Sequence, residues 1–461
     1  MPRRLIYDLN RTLLLGLPLV GSQVAQLLVG LTDTLMLGRY SVDALAAATI
    51  SHSAFFSIYV LGSGFAYAVL PLSAAAVGRG DETRARRVAR MGLWLSALFG
   101  LVCLPLFIWS EPFLLALGQA PQVAADAQTY LRIAGLGMLP ALLTVTLRSH
   151  LSALEHTRIV LWATLAAVVL NAGVNWLLIF GNLGFPELGL RGAAIASVGV
   201  HLLTTLVLTL YATRGPDMAR FELLRNIWRA DWPTFGEIFR MGWPIGLTNL
   251  SESGLFAASA LMMGWLGTVP LAAHGIAIQI AALTFMVHLG LSSAATVRVG
   301  QSWGRGDRAG LGRAALAAAI LSFGAVLLAT ALYLGAGTWI VSLFLGADDP
   351  QAPEILALGA YLLILAAAFQ LVDAGQVMAL GVLRGVQDTR RPMVYAVLAY
   401  WACGVPASYL LGFTFGLGPT GIWMGLVIGL AIAAVALSAR FVRMVRAMPD
   451  TPPDAALTSK S

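Results

Sequence analysis

Twelve apolar runs of about twenty or more residues recur along this 461-residue chain, each long enough to cross the hydrocarbon core of a bilayer as a helix. They fall at 12–37, 44–76, 88–109, 126–152, 158–181, 189–213, 236–264, 270–300, 310–337, 354–383, 392–412 and 418–444. Only 11% of the residues are charged and mean hydropathy is +0.80, whereas soluble domains carry roughly 25% charged residues. The expected fold is an all-α membrane protein. Pro18, Pro71, Pro140, Pro244 and Pro406 fall inside runs, where a missing backbone donor bends a helix.

The net charge of +7 belongs to the loops. With both termini on one side, that side receives 26 of the 29 basic residues, including five arginines at 78–90, five at 214–240 and four at 298–313. Arg39, Arg132 and Arg191 fall on the other side, which holds Asp43, Glu111, Asp126, Glu187, Asp348, Asp349 and Glu354. This asymmetry places both termini in the cytoplasm and gives the expected location as a bacterial inner membrane, multi-pass. No basic stripe is interleaved with aromatics, so nucleic acid is not an expected partner. Met1-Pro2-Arg3-Arg4 leads into a first span containing Asp33, without a small-residue cleavage pattern, and reads as retained. Cys103 and Cys403 lie singly in apolar runs and offer neither a disulfide framework nor a zinc site.

An internal repeat organises the chain. Residues 16–81, moved by 226 positions, fall on 242–307 without a gap. Gly16-x-Pro18 meets Gly242-x-Pro244, Leu35-Met36-x-Gly38 meets Leu261-Met262-x-Gly264, and Gly78-Arg79-Gly80-Asp81 meets Gly304-Arg305-Gly306-Asp307. Farther on, Leu147-Arg148 echoes Leu383-Arg384, and Gly189-x-x-Gly192 echoes Gly418-x-x-Gly421. Six spans per half give both halves the same orientation, so the expectation is two six-helix bundles related by a pseudo-two-fold axis along the membrane normal, with the transport pathway between them. The expected division is 1–213, a linker at 214–235, and 236–461 with a short cytoplasmic tail. The Gly-rich turns at 78–81 and 304–307 lack a phosphate-binding context and read as tight turns.

Of 22 acidic residues, three lie well inside spans: Asp33 in the first, Glu252 in the seventh and Asp373 in the tenth. A carboxylate there costs about 2.5–3.5 kcal/mol on insertion scales and marks a functional interior. No arginine or lysine shares the same stretch of helix with any of them. At the 226 offset Glu252 faces Gln26 and Asp33 faces Ser259, and at a local offset of 236 Asp373 faces Gly137, so each acid is unique to its half. Burial and a second nearby carboxylate both favour the neutral form of an acid, which suits a group that binds and releases protons. The same oxygens also suit sodium, with Glu252 and Asp373 as its ligands. Substrate-cavity candidates are Gln26, Asn171, Asn175, Asn249, Ser251, Gln279, Phe285, Met286, Phe369 and Gln370, beside the further polar residues Gln23 and Gln376. His52, His201, His274 and His288 lack metal-ligand spacing and read as packing or hydrogen-bonding residues. No nucleophile–base or metal constellation is evident, so an enzyme is not expected.

Several motifs resemble the multidrug and toxic compound extrusion family, in its NorM-like bacterial branch. They are Asp33-Thr34-x-Met36-x-Gly38, Asn175-Trp176 followed by Pro186-Glu187-Leu188-Gly189, Glu252, Ala272-Ala273-His274, Arg298-Val299-Gly300, Gln370-x-x-Asp373-Ala374-x-Gln376-Val377, and Leu383-Arg384-Gly385. The resemblance implies a cation-coupled antiporter that exports small organic cations in exchange for protons or sodium, by alternating access and without a cofactor. It implies coupling roles for Asp33, Glu252 and Asp373. Relatives commonly carry tyrosine four residues before the last of these; Phe369 stands there, and the lost hydroxyl leans the expectation toward protons. The chain is expected to act as a monomer in the lipid bilayer. The alternative is a flippase of lipid-linked precursors from the same wider superfamily, which would need basic residues in its cavity where this chain has acids.

Overall fold

A computed structural model describes residues 2–346 and 350–448. Asp348, Asp349, Lys460 and the tail beyond Met448 lie outside the described residues. The described chain is helical, with no strand among the described residues. Six long helices make up the first half: α1 Pro2–Tyr40, α2 Val42–Gly78, α3 Glu82–Ile108, α4 Pro121–Ala153, α5 Thr157–Phe180 and α6 Gly189–Arg214. The second half repeats them as α7 Trp232–Leu266, α8 Thr268–Arg305, α9 Arg308–Ser342, α10 Ala352–Gly385, α11 Arg390–Thr414 and α12 Gly418–Ala447.

Eleven of the twelve are long and apolar enough to span a membrane. The exception is α7, which has the length at 35 residues, but Asn249, Ser251, Glu252 and Ser253 lower its hydropathy. Several helices outrun the apolar segments that announced them. Thus α1 begins at Pro2, well before residue 12, because polar flanks continue a helix that apolarity alone does not delimit. Irregularities fall near prolines. A 3₁₀ turn at Gly135–Gly137 precedes Pro140 in α4, and π-helical stretches at Leu398–Gly404 and Leu410–Thr414 flank Pro406 in α11.

The strongest sequence repeat has a plain structural cause. Gly80 and Gly306 both take left-handed backbone angles (φ 74° and 69°), ending one helix. One residue later, Asp81 and Asp307 cap the next, accepting from Arg84 N at 2.8 Å and Gly310 N at 2.7 Å. Only glycine takes the first conformation at no cost, and a short acid is a preferred cap, so both halves keep Gly-Asp.

Packing divides the chain into Gly21–Gly246 and a second unit of Met1–Val20 with Leu247–Ser461. These lines cut through α1 and α7, whereas the sequence placed them at the 214–235 linker. The reason is one helix crossing made twice. Within the first unit, a Cβ on Gly64 of α2 would lie 2.3 Å from Gly246 N and 2.4 Å from Gly242 O of α7. Within the second, a Cβ on Gly290 of α8 would lie 2.5 Å from Val20 Cα of α1. Gly64 and Gly290 are equivalent at the 226 offset, as are Val20 and Gly246. The first turns of each half's leading helix therefore pack on the second helix of the other half, backbone on backbone, as small residues permit.

Ion pairs fix both crossings at the helix starts. Asp8 of α1 is buried and accepts from Arg298 Nη2 at 2.5 Å and Arg313 Nε at 3.1 Å, while Arg298 Nη1 also reaches Thr12 Oγ1 at 2.7 Å. Asp231, just before α7, accepts from Arg87 Nε at 2.5 Å and from the Thr234 hydroxyl at 2.7 Å; Arg84 bonds Thr234 and pairs with Glu237. Arg87 and Arg313 are equivalent in the repeat. Arg87 holds the Asp231 carboxyl down at about 2.

Two outcomes follow from these contacts. Gly64→Val and Gly290→Val force apart two backbones and should each destabilise the protein by about 1–3 kcal/mol, read as lowered thermal unfolding in detergent. The Asp231 contribution is full above pH 4, where the carboxyl is ionised folded or unfolded, and is lost as pH falls toward about 2. Asp231→Asn should therefore lower stability at pH 7 by about 1–2 kcal/mol, discounted for the exposed Arg87, and should flatten the stability profile between pH 4 and 2.

Candidate functional site

The polar residues singled out from the sequence gather into separate clusters, two of them around carboxylates, one in each packing unit. In the second unit Glu252 projects from α7 and Asp373 from α10, both buried. Gln376, one turn beyond Asp373, donates its amide to Glu252 Oε1 at 2.5 Å and to Asp373 Oδ1 at 3.4 Å. Tyr400 of α11, itself fully buried, donates its hydroxyl to Gln376 Oε1 at 2.6 Å and so fixes which way the amide faces. Asp373 Oδ2 has no hydrogen-bond partner among the described residues. Two carboxylates thus share one neutral donor, with an open acceptor left over. Two buried carboxylates are costly if both are ionised.

No arginine or lysine shares the stretch of helix around either acid, but one stands farther along α10. Arg384, three turns beyond Asp373 on α10, donates to Asn249 Oδ1 at 2.9 Å, and its positive charge acts on Glu252. Three helices place these groups together, which a search within one helix does not see.

In the first unit Asp33 is half-buried on α1. Asn175 of α5 donates to its Oδ1 at 2.5 Å, and Ser197 of α6 to its Oδ2 at 3.3 Å. Asn175 also donates to Asn171, one turn earlier, at 3.3 Å; both asparagines are fully buried. Two turns before Asp33, Gln26 accepts from Arg148 of α4 at 2.8 Å, and the same guanidinium reaches Ser22 at 3.0 Å and Gln23 at 3.2 Å.

The other cavity candidates are dispersed. Gln370 is buried and donates to the Ala281 carbonyl at 3.0 Å, one turn from Asp373. Phe369 is 2% exposed and packs edge-on against Phe256 and Trp423, a core position. The Ser251 carbonyl accepts from Trp401 Nε1 at 3.2 Å. Gln279 is exposed on α8, and Phe285 and Met286 are half-buried there.

Sequence reading missed Tyr400, Ser197 and the inward reach of Arg148. A lone tyrosine or serine in an apolar span carries no pattern, and Arg148 read as a loop cation. Its one available signal was the Leu-Arg echo with Arg384, which marks an arginine held at the same place in both halves.

A helical frame repeated twice, with ionisable groups held inside it, defines a polytopic membrane protein of the transporter class. The MatE family model matches residues 18–177 and 244–410, one match in each half. The chain belongs to that family. It is 44% identical over 441 residues to a probable multidrug resistance protein NorM of Rhizobium meliloti, covering 96% of this chain and 94% of that one. It is 37% identical to a protein of the same description from Pseudomonas putida, covering 94% of each. Among solved structures, a MATE protein in complex with MaL6 superposes with a TM-score of 0.88 over 96% of this chain and 98% of that one, at 21% identity. The eukaryotic MATE transporter AtDTX14 superposes at 0.84 over 96% and 99%, at 19% identity.

Tyr400→Phe removes the hydroxyl that orients the Gln376 amide and leaves the ring. Loss of one buried hydrogen bond is worth about 1–1.5 kcal/mol, so transport should fall about tenfold. The check is transport rate against pH, whose midpoint should move in Tyr400→Phe and stay fixed in a control at Tyr409.

Proposed function

We propose that this chain is a proton-coupled multidrug efflux antiporter that exports small organic cations by alternating access. On this reading it acts as a monomer in a bacterial inner membrane, with both termini cytoplasmic. The observation that carries the reading is the Glu252–Gln376–Asp373 cluster, two buried carboxylates bridged by one neutral amide. In such a pair, proton binding and release change the net charge of an interior site, which is what exchange for a cationic substrate requires.

The donors support a proton over sodium. A hard cation needs a shell of several oxygens, but an N–H of Gln376 points at both carboxylates and Tyr400 spends its hydroxyl on Gln376. Phe369 brings no oxygen. A protonated carboxyl needs only an acceptor and a donor, and this cluster supplies both. Asp33, with its donors from Asn175 and Ser197, is the second titrating centre on this reading.

Ethidium transport by purified protein in proteoliposomes, with proton and sodium gradients imposed separately, tests the proposal. A proton gradient alone should drive export in the wild type, and Asp373→Asn or Glu252→Gln should abolish it. Normal export by both variants would sink the antiport reading, and transport driven by sodium alone would replace the proton with sodium.

A further inference from the structure

The repeat sets Arg148 and Arg384 at matching positions, but the charges around them differ. In the second half the positive charge of Arg384 acts on Glu252. In the first half the residue equivalent to Glu252 is Gln26, and Arg148 bonds only Gln26, Gln23 and Ser22, all neutral. No carboxylate pairs with Arg148 among the described residues, and its Nε–H and one Nη1–H have no protein acceptor there. Arg148 and Gln26 are half-buried, so the guanidinium is neither sealed in the core nor spread on the surface. An arginine inside a helical bundle with no counter-charge is costly unless something negative comes to it.

What lies beside it is open. Gln26, Gly30 and Asp33 stand at i, i+4 and i+7 on α1 and share one helix face. A Cβ built on Gly30 meets nothing within 4 Å, so the face between the two polar residues borders empty space. Seven residues of helix separate Gln26 from Asp33 by about 10 Å along the axis. Tyr59 of α2 stands beside Gln26 and Arg148. One face of α1 thus carries a negative group at one end, a positive group at the other, and room between.

We propose that Arg148 is the anion-accepting pole of a substrate site in the first half, and that this site takes organic zwitterions whose cationic end sits at Asp33 and whose carboxylate pairs with Arg148. This deepens the efflux reading and rests on it. Arg148 is then a specificity residue: purely cationic substrates use Asp33 alone, while substrates with a carboxylate gain a charge-assisted bond to a planar fork that suits that group. The neutrality of Gln26 is part of the device, because an acid there would occupy the guanidinium, as Glu252 attends Arg384.

A matched dye pair isolates the carboxylate. Rhodamine 110 carries a xanthylium cation and a carboxylate, and rhodamine 123 is its methyl ester with the cation alone. Binding of each to the purified full chain in detergent is read by fluorescence polarisation. In Arg148→Gln, affinity for rhodamine 110 should fall about tenfold or more, the loss of one charge-assisted contact, with rhodamine 123 within about twofold. Gln26→Glu, which keeps the arginine, should produce the same selective loss, so the inference stays testable if Arg148→Gln does not fold. Asp33→Asn should weaken both dyes. Parallel losses for both dyes in the Arg148 or Gln26 variants, or no loss in either, would overturn the assignment. The assay uses no ion gradient, so a failure of coupling leaves it intact. Wild-type protein that bound neither dye would overturn this inference together with the efflux reading.

Discussion

Asp33, Glu252, Arg148 and Arg384 reach into the helical bundles, and each is held by an uncharged amide. Asn175 donates to Asp33, Gln376 to Glu252, and the amide oxygens of Gln26 and Asn249 accept from Arg148 and Arg384. An amide satisfies an ion's hydrogen bonds without cancelling its charge. A direct ion pair would be electrically closed and would have nothing left to offer a mobile cation or a charged substrate. Amide partners keep the charge in place, oriented and unspent. Much of the remaining structure serves to keep those amides where they are.

The frame does this with little material. Glycines let α2 and α7, and again α1 and α8, approach backbone to backbone, and an aspartate–arginine clamp pins the start of each crossing helix. Because the crossing occurs twice with equivalent residues, each leading helix belongs by packing to both units along its length. Asp33 and Gln26 lie on the part of α1 that packs with the first unit, and Asn249 and Glu252 on the part of α7 that packs with the second. The candidate site residues therefore begin past the point where each helix changes allegiance.

Duplication makes the difference informative. Scaffold positions such as Gly64 and Gly290, Asp81 and Asp307, or Arg87 and Arg313 answer to the same geometry in both halves and have kept the same residue. Gln26 and Glu252 answer to different chemistry at one place in the fold. With glutamine the arginine stands unbalanced; with glutamate a second carboxylate can join Asp373. On the proposed reading, one substitution separates a half suited to a molecule with two poles from a half suited to a small cation.

The sequence by itself determined the helical frame, the duplication and the three interior acids, because each rests on local or repeated information. A helix that crosses a bilayer must be apolar along its own length, a Gly-Asp turn must be written in consecutive residues, and a carboxylate in an apolar run is visible at once. The tertiary structure decided who stands beside whom. Tyr400 locking Gln376, Ser197 reaching Asp33, Arg148 turning inward to α1, and Phe369 closing an aromatic cluster are all contacts between helices. Nothing along one helix encodes the rotation of its neighbour, since that is set by the fit of many side chains and glycines at once. The acids could be found by reading; their partners had to be folded into place.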